Sequence, residues 1–141
     1  MTLKNVNTVL ATVGALFIAY VGLSYVLVPE STAPGFGLPR WPPGDGDGFL
    51  VLKGIRDLVS GMAIAAMVLT GQRRALGWLL LVIACTPLGD MITVLAHDGS
   101  SAAAFGIHGA TAALVALTGV LTLRETRARP AAAEPPSLAL Q

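Results

Sequence analysis

The charged side chains that could carry chemistry, Lys53, Arg56 and Asp57, stand close together in the sequence. They fall in the first third of an apolar segment, residues 48–70, whose length suits a membrane-spanning helix. A charge at the centre of such a helix costs roughly 2.5–3.5 kcal/mol on insertion scales. We therefore expect these side chains to face the protein interior, where they have partners or a function.

Polar residues in the other apolar segments are the candidate partners of this charged stretch. Tyr20 and Ser24 are four residues apart, so they share one face of the first helix. Asp90 and Thr93 belong to a stripe of polar residues at helical spacing in the third segment. His108 is the inward-facing polar candidate of the last segment.

Composition places the chain in a membrane. Of its 141 residues, 54% are hydrophobic and 12% are charged, whereas a soluble domain carries about 25% charged residues. The apolar residues form four runs, each near the ~20 residues that cross the hydrocarbon core. The first and last runs have no polar stripe of the kind that an apolar soluble bundle would show. The four predicted spans are residues 8–28, 48–70, 75–96 and 102–123.

The predicted fold is therefore all-α, a bundle of four transmembrane helices. We expect residues 1–127 to form the membrane domain and residues 128–141, rich in Ala and Pro, to be a disordered tail. The loop over residues 29–47 contains five prolines and is expected to be irregular rather than helical. The single cysteine, Cys85, allows no disulfide within the chain.

Small residues predict where the helices approach one another. Gly54 and Gly61 are seven residues apart on one face of the second helix, which permits close contact with another helix. In the last helix, Gly106 and Gly109 are each followed by an alanine four residues later. This spacing also favours close helix packing.

The distribution of basic residues predicts the orientation. By the positive-inside rule, the side with more Lys and Arg faces the cytoplasm, so both termini are expected there, in the plasma membrane. Arg56, Asp90 and His108 then lie about 9–12 Å below the outer face of the membrane at the helical rise. The basic residues on the predicted cytoplasmic side are Lys4, Arg73, Arg74, Arg124, Arg127 and Arg129.

A purely structural interpretation of this polar layer is available. Arg56 would pair with Asp90, and Lys53 with Asp57 at the spacing of one helical turn. His108 would complete a network that fixes the packing of the helices. Polar contacts of this kind are typically worth only about 0.6 kcal/mol each in membrane proteins.

A functional interpretation makes the layer a pocket for a small lipophilic or anionic ligand. Arg56 would hold an anionic or carbonyl oxygen, and Asp57 or Asp90 would act as an acid or base. His108 would exchange a proton near neutral pH. The remaining candidate ligand-binding residues are Lys53, Tyr20, Ser24 and Thr93.

Other classes of site lack their signatures. Asp90, His97 and His108 do not have the spacing of a metal site, and no phosphate-binding glycine loop or nucleic-acid motif is present. We therefore expect no metal, no cofactor and no nucleic-acid partner. Membrane lipid is the expected surrounding, and the oligomeric state is left open.

Three short motifs resemble a family of small four-helix integral membrane proteins, catalogued mainly in actinobacteria and fungi as a domain of unknown function. They are KGIRD at residues 53–57, PLGD at 87–90 and HGA at 108–110. The chain is also similar, more loosely, to DoxX-type membrane proteins. The resemblance extends over residues 6–123, implies the four-helix fold and implies no activity.

Three functions remain open from the sequence. The chain would be a ligand-binding membrane protein with a polar pocket in the outer leaflet. Alternatively, it would be a membrane-embedded acid–base enzyme, of isomerase or cyclase type, acting on a lipophilic substrate. The third possibility is a structural subunit of a membrane complex.

Overall fold

Long apolar runs form long helices in the computed structural model, which describes residues 2–40 and 46–127. All regular structure within these residues is helical. The elements are α1 (Leu3–Leu27), α2 (Pro29–Thr32), a 3₁₀ helix (Ala33–Phe36), α3 (Gly46–Leu69), α4 (Arg73–Ala96), α5 (Ser101–Ala103), a π-helix (Ala104–Gly109) and α6 (Ala110–Arg127).

Three helices are long and apolar enough to cross a membrane: Leu3–Leu27, Arg73–Ala96 and the continuous run Ser101–Arg127. This indicates a membrane protein. Helix α3 has 24 residues, but it contains four charged residues and is not among these three. Its role as a fourth crossing therefore stays a prediction, and the predicted tail at 128–141 lies outside the described residues.

The proline-rich connection after α1 is more regular than expected. Residues 29–36 form two short helices, each with a proline in its first turn. Proline is tolerated there because its missing N–H would have no partner inside the helix. Gly37 ends the second of them with a φ of +97°, a conformation that glycine adopts without steric cost.

The bundle consists of two closely packed helix pairs, α1 with α3 and α4 with α6. In the first pair, a Cβ atom on Gly54 would lie 2.6 Å from the carbonyl oxygen of Gly22, and one on Gly61 would lie 2.8 Å from that of Ala15. The prediction that Gly54 and Gly61 permit close packing is confirmed. The contacts between the two pairs are less extensive.

In the second pair, the glycines that allow close helix packing are not the predicted ones. Gly77 and Gly119 face each other, with a Cβ on Gly119 only 3.0 Å from the carbonyl oxygen of Gly77. Gly106 has nothing within 4 Å of its Cβ position, so its predicted packing role is wrong. Gly109 instead faces the sulfur of Met91, at 2.9 Å. The π-helix changes which residues of this segment face α4.

Replacing Gly54 with Ala tests the first pair. The added methyl group would meet backbone atoms, which cannot rotate away, so we expect a loss of about 1–3 kcal/mol of stability. Thermal unfolding of the purified protein in detergent measures the effect. The matched control is Gly48→Ala in the same helix, because Gly48 has open space at its Cβ position. Equal melting temperatures for the two variants would contradict the packing assignment.

A polar cluster lies at one end of the bundle, called the Glu125 end here, and was not predicted from the sequence. Arg73 donates to Glu125 at 2.8 Å and to Thr8 Oγ1 at 3.0 Å. Asn7, which is fully buried, donates to the same carboxylate at 3.2 Å. This cluster ties α1, α4 and α6 together. The opposite end is called the Phe36 end.

Candidate functional site

A cavity of about 410 Å³ lies between the two helix pairs, lined by residues of α1, α3, α4, α6 and the Phe36 end. Along α1 its lining runs from Leu10 to Tyr25, which is about 22 Å at the helical rise. Most of its lining residues are apolar. The charged and titratable groups that line it are Lys53, Asp57, Asp90, His108 and Tyr25.

Four charged side chains form a cluster at the Phe36 end of this cavity. The Nζ atom of Lys53 lies 2.5 Å from Asp57 Oδ2 and 3.8 Å from Asp90 Oδ2. The Arg56 guanidinium lies 3.7 Å from Asp57 and 3.9 Å from Asp90. Each cation therefore faces both carboxylates. The four formal charges cancel.

The two cations, both predicted to bind a ligand, lie in different surroundings. The Arg56 side chain is 55% exposed and does not line the cavity, whereas that of Lys53 is 17% exposed and does. Lys53 and Asp57 are one helical turn apart, and so point into the same space, while Arg56 projects from an adjacent face. Lys53 is thus the cation that a ligand in the cavity would meet.

Aromatic rings enclose the ammonium group of Lys53. Its Nζ atom lies 4.8 Å from the centre of the Tyr25 ring and 5.4 Å from that of Phe36. Both distances are within the range of cation–π attraction. Tyr25, which the sequence analysis did not single out, is only 3% exposed and faces the protein interior. Its position was readable from the spacing of the residues at 14, 18, 21 and 25, all of which line the cavity.

Three predicted ligand-binding residues lie away from the cavity. Tyr20 is 69% exposed, because it projects from the opposite side of α1 from Tyr25. The hydroxyl of Ser24 donates to the carbonyl oxygen of Tyr20, and that of Thr93 to the carbonyl oxygen of Gly89. Both hydroxyls are thus bonded within their own helices.

His108 joins the last helix to the segment that covers this end of the cavity. Its Nε2 atom lies 2.8 Å from the carbonyl oxygen of Phe36, and the two rings are 4.7 Å apart. Because a carbonyl oxygen only accepts, Nε2 carries the hydrogen of this contact. His108 lies in the π-helix, a distortion found frequently at functional sites.

The metal-ligating side chains of the described residues are not grouped as a metal site would require. Within residues 2–40 and 46–127, no three His, Cys, Asp or Glu side chains are arranged to hold a metal ion. His97 is exposed, and its Nδ1 atom lies 2.9 Å from the carbonyl oxygen of Thr93. The site therefore offers acid–base and hydrogen-bonding groups: an ammonium, two carboxylates and an imidazole.

Residues 15–122 match the family described as Domain of unknown function (DUF4267). The matched range includes the whole charged cluster and all the cavity-lining residues of α3 and α4. Among curated proteins, none matches the chain. No solved structure matches it either.

Proposed function

We propose that this chain, which belongs to the DUF4267 family, is a small membrane protein that binds a lipophilic ligand with an uncharged polar head. The observation that carries the proposal is the long apolar cavity with all its charged groups at one end. Its volume of about 410 Å³ lies within the roughly 300–1,000 Å³ typical of small-molecule sites.

The charge balance of the cluster favours an uncharged head over an anionic one. Asp57 is 1% exposed and already bonded to Lys53. An anionic group would have to displace this carboxylate or leave an extra negative charge in an apolar surrounding, which is costly. A hydroxyl group can instead donate to Asp90 and accept from Lys53, and a carbonyl group can accept from Lys53, without adding charge.

The orientation is part of the same proposal. The described residues of the Glu125 end include Lys4, Arg73, Arg74, Arg124 and Arg127, whereas the Phe36 end has fewer basic residues outside the charged cluster. The positive-inside rule then supports cytoplasmic termini. In the plasma membrane, with α3 as the fourth crossing, the charged cluster would lie in the outer leaflet.

Filling the cavity tests the proposal. Gly14 lines the cavity and has no atom within 4 Å of its Cβ position, so Gly14→Leu adds a side chain into empty space. We expect photo-crosslinking to a long-chain fatty alcohol that carries a diazirine to fall about tenfold or more, since burial of several methylene groups is lost at about 0.8 kcal/mol each. Intact-protein mass spectrometry measures the crosslinked fraction.

Two controls accompany this experiment. Gly48→Leu adds the same side chain at an open, exposed position outside the cavity and should leave crosslinking unchanged. The matching diazirine fatty acid should crosslink less than the alcohol. Equal crosslinking of Gly14→Leu and the unchanged protein would contradict a ligand-binding cavity and favour a structural subunit. Stronger crosslinking of the acid would show an anionic ligand.

A second function, acid–base catalysis on a lipophilic substrate, is favoured by one observation. Asp57, Asp90 and His108 line one end of the cavity, and the Phe36 carbonyl fixes the tautomer of the imidazole. An enzyme would require turnover of the bound compound. Conversion that stops in Asp90→Asn while crosslinking persists would select the enzyme over the binding protein.

A further inference from the structure

A second cavity lies at the Glu125 end, on the outside of the α4–α6 pair. It has a volume of about 260 Å³ and is separate from the first, with which it shares no lining residue. The beginning of α4 and the end of α6 form its walls. Its lining residues are Arg74, Trp78, Leu123, Thr126 and Arg127.

The two arginines of this cavity are available for a ligand. The neighbouring Arg73 is engaged by Glu125 at 2.8 Å, which neutralises both groups. Within residues 2–40 and 46–127, neither Arg74 nor Arg127 takes part in an ion pair. Two guanidinium groups around one cavity therefore present an uncompensated double positive charge.

The same cavity has an apolar side. Trp78 follows Arg74 by four residues, and Leu123 precedes Arg127 by four, so each arginine shares a helix face with an apolar side chain. On both helices the apolar residue lies about 6 Å further from the helix end than the arginine. Tryptophan at this depth is typical of the membrane interface. The cavity thus places positive charge outermost and apolar surface inward.

We propose that this cavity binds the phosphate-containing headgroup of an anionic membrane lipid. Arg74 and Arg127 would hold the phosphate, since guanidinium groups bind phosphate oxygens in a bidentate manner. Trp78 and Leu123 would contact the glycerol and upper acyl region. The Thr126 hydroxyl donates to the carbonyl oxygen of Leu123 at 2.8 Å, so towards a headgroup it could act only as an acceptor. Basic pockets between helices on the cytoplasmic side of a membrane bind such headgroups. This proposal shares the orientation of the termini with the proposed function and does not depend on a ligand in the first cavity.

The test uses the full-length protein in nanodiscs or detergent, with phosphatidylglycerol and phosphatidylcholine of identical acyl chains as probes. Native mass spectrometry measures how much of each lipid remains bound. We expect preferential retention of phosphatidylglycerol, and a loss of roughly thirtyfold in its affinity in the double variant Arg74→Gln/Arg127→Gln, about fivefold per arginine. Each single variant should show an intermediate loss.

Arg124→Gln is the matched control, because Arg124 lies on the same helix but does not line the cavity. It should retain the lipid preference. An equal loss in Arg124→Gln would show unspecific attraction to surface charge and overturn the proposal, as would equal retention of the two lipids. Displacement of phosphatidylglycerol by millimolar inorganic phosphate would show a site for free phosphate rather than lipid. The substituted side chains are exposed, so all variants should melt like the unchanged protein.

Discussion

Replacement of Asp57 with Ala is expected to lower the stability of the protein by about 3 kcal/mol. The carboxylate is buried and contacts both Lys53 and Arg56. Its removal leaves the Lys53 ammonium in the interior with only the more distant Asp90. Breaking a buried ion pair in this way costs about 3–5 kcal/mol in soluble proteins. Because Lys53 keeps its contact with Asp90, we expect a loss of stability near the lower end of this range. Thermal unfolding in detergent measures the loss.

Two further variants test whether Lys53, rather than Arg56, is the essential cation beside Asp57. The double change Lys53→Met/Asp57→Leu removes both charges and should recover most of the stability, because well-packed apolar residues replace a buried ion pair at little cost. Arg56→Ala should change stability by less than about 1 kcal/mol, as is typical of exposed ion pairs. A loss for Arg56→Ala as large as that for Asp57→Ala would show that Arg56 is the essential cation.

The His108→Gln variant is expected to keep ligand binding and to lose any proton transfer at this position. The glutamine amide can donate a hydrogen bond to the Phe36 carbonyl but cannot titrate near neutral pH. Crosslinking to the fatty alcohol should therefore stay within about twofold of the original value if the amide replaces this hydrogen bond. If the protein catalyses proton transfer, turnover should fall by about a hundredfold or more.

His108→Ala is the companion variant. It removes the hydrogen bond to the Phe36 carbonyl altogether, a contact worth about 1–1.5 kcal/mol, so crosslinking should drop by about five- to tenfold. If Gln and Ala lowered crosslinking equally, the hydrogen bond to Phe36 could not be what His108 contributes. Turnover that persists in His108→Gln would show that His108 is not the proton carrier.

Periodicity and charge were enough to predict the long helices and the grouping of their polar residues. The long apolar runs predict helices because a membrane requires every backbone group to be bonded within its own segment. The Lys53–Asp57 pair followed from the i, i+4 spacing alone. Residues 53, 57, 90 and 108 line one end of one cavity, as their similar depth in the predicted spans indicated.

What the sequence did not predict was the rotation of α1 about its axis and the local geometry at the start of the last helix. Tyr20 and Tyr25 differ by five residues, so they face different directions, and hydropathy does not decide which of them faces inward. The packing of Gly22 against Gly54 decides it, and that contact joins two helices. The hydrogen bond of His108 to Phe36 spans 72 residues and depends on a π-helix, which no local pattern predicts.

The division into two glycine-packed pairs also determines where the two halves of the chain are joined. Each pair is one half of the chain, and only the short connection Thr70–Gln72 joins them at the Glu125 end, where Arg73, Glu125 and Asn7 hold the halves together. At the other end, the polar links between described residues include two ion pairs of 3.8 and 3.9 Å to Asp90 and hydrogen bonds from His108 to Phe36 and from Ser100 to Gly37. This end is also closely packed, because a Cβ atom on Gly99 would lie 2.5 Å from the carbonyl oxygen of Gly37, and Phe36 shares a buried cluster with Val94 and Ala104. The two halves are therefore joined at both ends of the bundle, by a covalent connection and a polar cluster at one end and by ion pairs, hydrogen bonds and close packing at the other.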